Sequence, residues 1–145
     1  DWNCLERHRD IYRFTRGMIA FRRAHPVLCE ERFYTDADMR WFDPDLGLPA
    51  WADPRERRLA CLIHEAEGSA LYLMFNAGAD PAPFRVPPAS DGARWQLAVE
   101  TGAESPRDLF EPGEEPPVDA ARPCRVAPRS AVVLVQRNAS WFAER

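Results

Sequence analysis

Residues 130–136 read Ser130-Ala131-Val132-Val133-Leu134-Val135-Gln136 and form the most β-prone run in the chain. Valine and other β-branched residues favour pleated, well-packed strands. The run therefore predicts a central strand of a β-sheet, and the rest of the sequence can be ordered around it.

Shorter strand candidates precede this run and are separated by turn residues. Residues 57–64 and 70–76 flank a polar turn, which predicts a hairpin, and residues 94–100 alternate, with Trp95, Leu97 and Val99 on one face. The remaining strand candidates are residues 32–34, 39–42 and 84–86, and the predicted loops are 43–54 and 106–128. This spacing predicts a mainly β protein, an antiparallel Greek-key β-sandwich preceded by one N-terminal α-helix.

The N-terminal segment has the period of an amphipathic helix. Asn3 and Glu6 resemble a capping box, which predicts a helix start near Leu5, and Pro26 ends the helix because it disfavours helical backbone at His25. At 100° per residue, one apolar stripe is formed by Ile11, Phe14, Met18 and Phe21.

Three residues of the helix call for specific partners. Arg22 lies at the edge of the apolar stripe, so we expect it to meet a carboxylate or to extend toward water. Gly17 costs roughly 1 kcal/mol in a helix interior relative to alanine, which indicates that another element packs closely there. We expect His25 to be a structural residue that binds the last carbonyl groups of the helix.

Composition excludes several broad classes of function. The chain has 145 residues, enough for one domain with a hydrophobic core, and a formal net charge of −4 with both signs mixed. The charge balance argues against nucleic-acid binding, and no apolar run approaches the roughly 18 residues of a membrane helix. The N-terminus carries no signal-peptide pattern, which suggests the cytoplasm, although a fragment without its original N-terminus would look the same.

Patterns of catalytic chemistry are also missing from the sequence. The cysteines are widely and irregularly spaced, which argues against a zinc site, and Cys61 is expected to be a small buried apolar residue. The carboxylate pairs Asp36/Asp38, Asp43/Asp45 and Glu114/Glu115 lie in polar loops and are expected to be solvated turn residues. No nucleophile motif or phosphate-binding glycine loop occurs, so we predict no catalytic residue, no metal and no cofactor.

Tryptophans are the remaining candidates for a binding site. Trp95 alternates with apolar neighbours and is expected in the core. Trp41 lies in a predicted strand and Trp51 in a loop beside Asp53 and Pro54. Either could stack on a sugar ring, although partial burial of Trp51 under its loop is the simpler expectation.

The sequence also resembles a known family. Residues 14–28, Phe14-Thr15-Arg16-Gly17-Met18-Ile19-Ala20-Phe21-Arg22-Arg23-Ala24-His25-Pro26-Val27-Leu28, resemble the last barrel helix of isoamylase-type glycogen debranching enzymes, within the α-amylase superfamily of glycoside hydrolases (family 13). Further similar segments are Phe33 followed by Asp38-Met39-Arg40-Trp41, Pro44-Asp45-Leu46-Gly47 with Trp51, Leu71-Tyr72-Leu73-Met74-Phe75-Asn76-Ala77, Trp95, and residues 128–134.

The resemblance implies a division of the chain and a role without catalysis. Residues 1–28 would be the last helix of a catalytic (β/α)8 barrel, and residues 29–145 a C-terminal β-sandwich of the α-amylase type. The family's catalytic carboxylates lie on barrel loops that precede residue 1, so none is carried over. The parent activity implied is hydrolysis of α-1,6 branches in glycogen or limit dextrin.

The chain itself is then expected to be a non-catalytic accessory domain that packs on the missing barrel. The expected barrel interface is Ile11, Phe14, Met18, Phe21 and Arg22. One alternative is a glycogen- or α-glucan-binding module that uses Trp41 and Trp51. Another is an independent sandwich domain. If the barrel is absent, the helix stripe predicts self-association of the chain or a helix folded back on the sandwich.

Overall fold

The helical segment lies at the start of the described chain. The computed structural model describes residues 4–138, beginning with α1 (Cys4–Arg7) and α2 (Arg9–Ala24), followed by a 3-10 turn at Pro26–Cys29. The predicted helix is confirmed, apart from a break at His8, and Asn3 of the predicted capping box lies outside the described residues. No helix in residues 4–138 has the length and apolar character needed to cross a membrane.

The described chain then contains seven strands. They are β1 (Met39–Phe42), β2 (Arg58–His64), β3 (Ala70–Asn76), β4 (Ala82–Phe84), β5 (Ala93–Glu100), β6 (Cys124–Val126) and β7 (Ser130–Asn138).

The strands form two sheets. The main sheet has the order β1-β2-β3-β7-β5 and is antiparallel throughout, whereas β4 and β6 form a separate two-stranded sheet. The predicted β2–β3 hairpin is confirmed, and β7 has strands on both sides, as its sequence predicts. The chain crosses between the sheets at β4 and again at β6, which fits the predicted β-sandwich.

The first core lies between the main sheet and the small sheet. Its largest side chains are Trp95, Tyr72 and Phe84, and Trp95 is therefore a core residue as predicted. Both polar tips are satisfied by backbone, because Trp95 Nε1 donates to Pro87 O at 2.7 Å and Tyr72 Oη donates to Arg85 O at 3.0 Å. Buried aromatic rings with bonded polar tips fix this core without a desolvation penalty.

A second core lies on the other face of the main sheet, under α2. Phe14, Met18 and Phe21 of the helix pack on this face. The sheet side of this core is formed by Cys61, Ile63, Leu71, Leu73, Ala98, Val99, Val133 and Val135. The helix is thus folded back on the sandwich, which is one of the two arrangements predicted for its apolar stripe, and Cys61 is buried as expected.

Residues 32–34 were predicted as a strand and are irregular in the structure. The two terminal guanidinium nitrogens of Arg32, Nη1 and Nη2, each donate to the carboxylate of Asp38 at 2.8 Å. Thr35 N donates to the same carboxylate at 2.8 Å. The hydrogen bonds from Arg32 and Thr35 hold the pKa of Asp38 well below its ordinary value. This local network closes a turn, so the segment offers no extended edge for pairing, and Phe33 is 98% exposed.

The prediction of a strand at residues 84–86 is wrong by two residues. β4 ends at Phe84 because its partner β6 begins at Cys124 and is preceded by Pro123, which has no N–H group. The N–H of Arg85 instead donates to Pro44 O at 2.7 Å. The sequence predicts a loop at residues 106–128, and β6 shows that this prediction is wrong at Cys124–Val126.

The predicted alternation of β5 fails at Val99. Leu97 pairs with Leu134, whereas Val99 pairs with Val133, so Ala98 is an extra residue that forms a bulge. Val99 therefore belongs to the core under α2, while Trp95 and Leu97 face the small sheet. One inserted residue moves every following side chain to the opposite face.

Candidate functional site

The two tryptophans singled out from the sequence lie together on the surface. Trp41 of β1 and Trp51 of the following loop have ring centroids 6.1 Å apart and planes at 79°, an edge-to-face pair. Trp41 is 37% exposed and Trp51 69% exposed, so the expected burial of Trp51 under its loop is wrong. The pair presents aromatic surface to a ligand or partner; its predicted role in binding carbohydrate stays a prediction.

The loop that carries Trp51 is shaped by one carboxylate. Asp43 Oδ1 accepts hydrogen bonds from Asp45 N at 2.8 Å and from Gly47 N at 2.7 Å, and Asp43 N donates to Gly47 O. A side chain on Gly47 would collide with the Asp43 carboxylate. Asp43 is therefore a turn residue, as predicted.

The aromatic pair belongs to a larger apolar surface that sequence reasoning missed. Trp41 faces Cys61 across β1–β2, on the same side of the sheet as the helix. One register step along this face, Leu59 pairs with Phe75, which pairs with Ala131 of β7, and Phe75 is 37% exposed. An open cavity of about 450 Å³ lies beside Phe75. The alternation of side chains along β3 could have placed Phe75 on the same face as Leu71 and Leu73.

The helix has a second apolar side that faces outward. Phe14, Met18 and Phe21 contact the sheet, whereas other large apolar side chains of α2 are exposed. These outer residues are Ile11 at 64%, Tyr12 at 50% and Ile19 at 50%. Of the predicted barrel interface, Ile11 is accessible and the three sheet-facing residues are engaged within this chain. Contact with a barrel stays a prediction for all of them.

Of the two arrangements expected for Arg22, the structure shows extension toward water, and among residues 4–138 its side chain binds a backbone carbonyl rather than a carboxylate. Its Nε donates to Leu28 O at 3.2 Å, and the side chain lies at the exposed end of the helix. The 3-10 turn after Pro26 brings that carbonyl back toward the helix, so a backbone acceptor takes the place of a carboxylate. Cys29 Sγ donates to Arg22 O at 3.4 Å and strengthens the same connection.

His25 is a buried structural histidine, but its ring does not bind the helix carbonyls. Its Nδ1 lies 3.0 Å from both carboxylate oxygens of Glu65, in the turn between β2 and β3, and only its backbone N–H reaches Arg22 O. Ser69 Oγ also donates to Glu65 Oε2 at 3.2 Å, and the imidazole packs on Phe21. The pair therefore fastens the C-terminal end of α2 to the sheet.

Among the carboxylates, Glu115 departs from the prediction of a solvated loop residue. Its side chain is buried and accepts a hydrogen bond from Arg137 Nη2 at 3.0 Å, which satisfies the charge. Within residues 4–138, no three His, Cys, Asp or Glu side chains are grouped so that they could hold a metal ion.

Comparison with known proteins gives consistent matches. The model of the family described as isoamylase 1-3, C-terminal, matches residues 40–134. The chain is 32% identical to isoamylase 3, chloroplastic, of Oryza sativa subsp. japonica over 135 residues, 92% of this chain and 16% of that protein. It is 30% identical to isoamylase of Flavobacterium sp over 134 residues, 79% of this chain and 17% of that protein.

A third similar protein is isoamylase SU1, chloroplastic, of Zea mays, 32% identical over 108 residues, 74% of this chain and 13% of that protein. The chain thus spans between about one-eighth and one-sixth of the length of these relatives.

Proposed function

The chain belongs to the isoamylase 1-3 C-terminal domain family, and on that premise we propose that it is a non-catalytic accessory domain of a glycogen-debranching hydrolase. The observation that carries the proposal is the family match combined with coverage of about one-sixth of the relatives. The active site, which would hydrolyse α-1,6 branches, would lie in the remaining five-sixths of such a protein. A cytoplasmic location is part of the same proposal.

The accessory role would be to pack on the catalytic barrel and stabilise it. Ile11, Tyr12 and Ile19 form an exposed apolar strip of α2 that adjoins the side of the helix bound to the sheet. A helix whose apolar surface extends beyond its sheet-facing side can contact a second packed layer. The helix would then belong to both the sandwich and the barrel.

The experiment that tests this role is an assay of the 145-residue chain and of the longer enzyme on a branched glucan. We expect release of reducing ends only from the longer enzyme, because the chain supplies no active site of its own. Removal of the accessory domain from the longer enzyme should shorten its half-life on heating. Turnover by the chain alone contradicts the proposal.

The exposed tryptophan pair supports a second candidate function, α-glucan binding. Flat aromatic faces such as those of Trp41 and Trp51 suit the apolar face of a sugar ring. Electrophoresis of the chain in gels that contain glycogen provides the test. Retarded migration supports this candidate, and unchanged mobility argues against it.

A further inference from the structure

The face of the main sheet under α2 is only partly covered by the helix. At one end, His25 binds Glu65 beside the β2–β3 turn. Toward the other end, Arg13 pairs with Asp108, near the point where Leu109 bridges to Val99 of β5. The helix therefore crosses the sheet obliquely, and the corner formed by the far ends of β1, β2, β3 and β7 stays open.

This open corner is apolar and aromatic. We define the aromatic corner as Trp41, Trp51, Leu59, Phe75 and Ala131. The register places Leu59, Phe75 and Ala131 in one row across three strands, and the cavity beside Phe75 is bordered by Thr101, Arg129 and Ser130. Exposed apolar surface of this kind marks an interaction site in folded proteins.

We infer that the aromatic corner is the surface on which the catalytic domain of the same polypeptide docks. The inference rests on the proposed function. Because α2 lies on this face of the sheet, its exposed residues Ile11 and Ile19 and the aromatic corner lie on the same side of the main sheet. One domain can cover both, and the relatives carry about five times the length of this chain outside the matched region.

The chemistry of the corner favours a protein surface over a sugar. A glucan site needs polar side chains beside the aromatic ring to bind hydroxyl groups. Here two of the nearby polar groups are already engaged, since Asp43 binds the amides of its own loop and Thr101 Oγ1 accepts from Ala131 N at 2.8 Å. An apolar centre rich in aromatic residues is typical of permanent interfaces.

The test uses two variants of the corner, Trp51→Ser and Phe75→Thr, with Phe33→Ser as the matched control. All three replace exposed aromatic residues. In the 145-residue chain, Trp51→Ser and Phe33→Ser should keep the wild-type thermal midpoint within about 3 °C, because these side chains are mostly exposed, and the shift of Phe75→Thr, whose side chain is 37% exposed, is the baseline for that variant in the longer enzyme. In the longer enzyme, each corner variant should shorten the half-life on heating about tenfold, and the control should not.

The other outcomes separate this inference from the proposed function. If the longer enzyme has no debranching activity, the proposed function itself fails. If the enzyme is active and the corner variants are inactivated at the rate of Phe33→Ser, the inference alone is overturned. If the corner variants lose retardation in glycogen gels while heat inactivation is unchanged, the corner is a glucan site and the inference is likewise overturned.

Discussion

Leu109 occupies the space that a side chain on Gly17 would need. A Cβ built on Gly17 would overlap Leu109 Cδ2, so any other residue here would force the Leu109 side chain to shift. The close approach expected at this glycine is confirmed. It explains why a helix tolerates glycine at its centre.

Replacement of Gly17 by alanine should therefore destabilise the protein, although alanine is the better helix former. The helix gains about 1 kcal/mol from alanine, but overpacking against the buried Leu109 costs about 1–3 kcal/mol. We expect the free energy of unfolding in urea to fall by about 1 kcal/mol. In a Leu109→Ala background, Gly17→Ala should instead be stabilising, and the same sign in both backgrounds contradicts the contact.

The buried pair of His25 and Glu65 gives a second prediction. His25→Ala should lower the free energy of unfolding by about 2–3 kcal/mol, since it leaves the Glu65 carboxylate with a weaker set of partners in a largely buried place. His64→Ala, at an exposed position of β2, is the control and should change it by less than about 0.5 kcal/mol.

A double-mutant cycle with Glu65→Ala measures the coupling directly. If the two single effects add without an interaction free energy, the pair does not fasten the helix to the sheet.

Acid stability should depend on Glu56. Hydrogen bonds from the Arg58 side chain, together with backbone N–H groups, lower the pKa of Glu56 from 4.5 to about 2. Because the pKa of Glu56 is lower in the folded state, its carboxylate stabilises the fold at any pH above the pKa of the unfolded chain. That contribution is lost as the pH falls from about 4.5 through about 2. Because the pair is partly solvated, its contribution should be under about 1 kcal/mol.

The measurement is urea unfolding of the wild type and Glu56→Gln between pH 7 and pH 2. The wild type should be the more stable at pH 7, and the difference should vanish near pH 2. A constant difference across this range would show that the Glu56 carboxylate contributes nothing through its charge.

Thiol labelling should divide the cysteines into two pairs. Burial raises the pKa of the Cys61 thiol to about 12 and that of Cys124 to about 11, whereas Cys4 and Cys29 are exposed. Since the thiolate is the reactive form, a disulfide reagent at pH 8 should label Cys4 and Cys29 in the native protein and all four cysteines after unfolding. Rapid native labelling of Cys61 would contradict its place in the core.

The sequence pattern predicts the helices and strands that depend on residues close together in the sequence. β3 and β7 are continuous apolar runs, and α2 shows its period and its proline stop, so their positions are confirmed. The sequence does not predict β6, because Cys124–Val126 is three residues long and forms a strand only by pairing with β4, which is distant in the sequence. The bulge at Ala98 depends on the same kind of distant pairing.

The candidate surface shows the same limit. Periodicity identified Phe14, Met18 and Phe21 as a buried stripe, but it carries no information on which partner buries them. The structure supplies that partner from the chain itself. The sequence identifies Trp41 and Trp51 individually. That they share one surface with Phe75 becomes clear only from the register of three strands.

The position of β7 also sets the order in which this domain can be built. β7 is the last strand of residues 4–138, yet it lies between β3 and β5 and gives both of them a hydrogen-bonded neighbour. During synthesis, β5 therefore waits without its partner in the main sheet until Ser130–Asn138 has left the ribosome. Truncation before residue 130 would leave β3 and β5 each with an unpaired edge, which is the kind of edge that promotes aggregation.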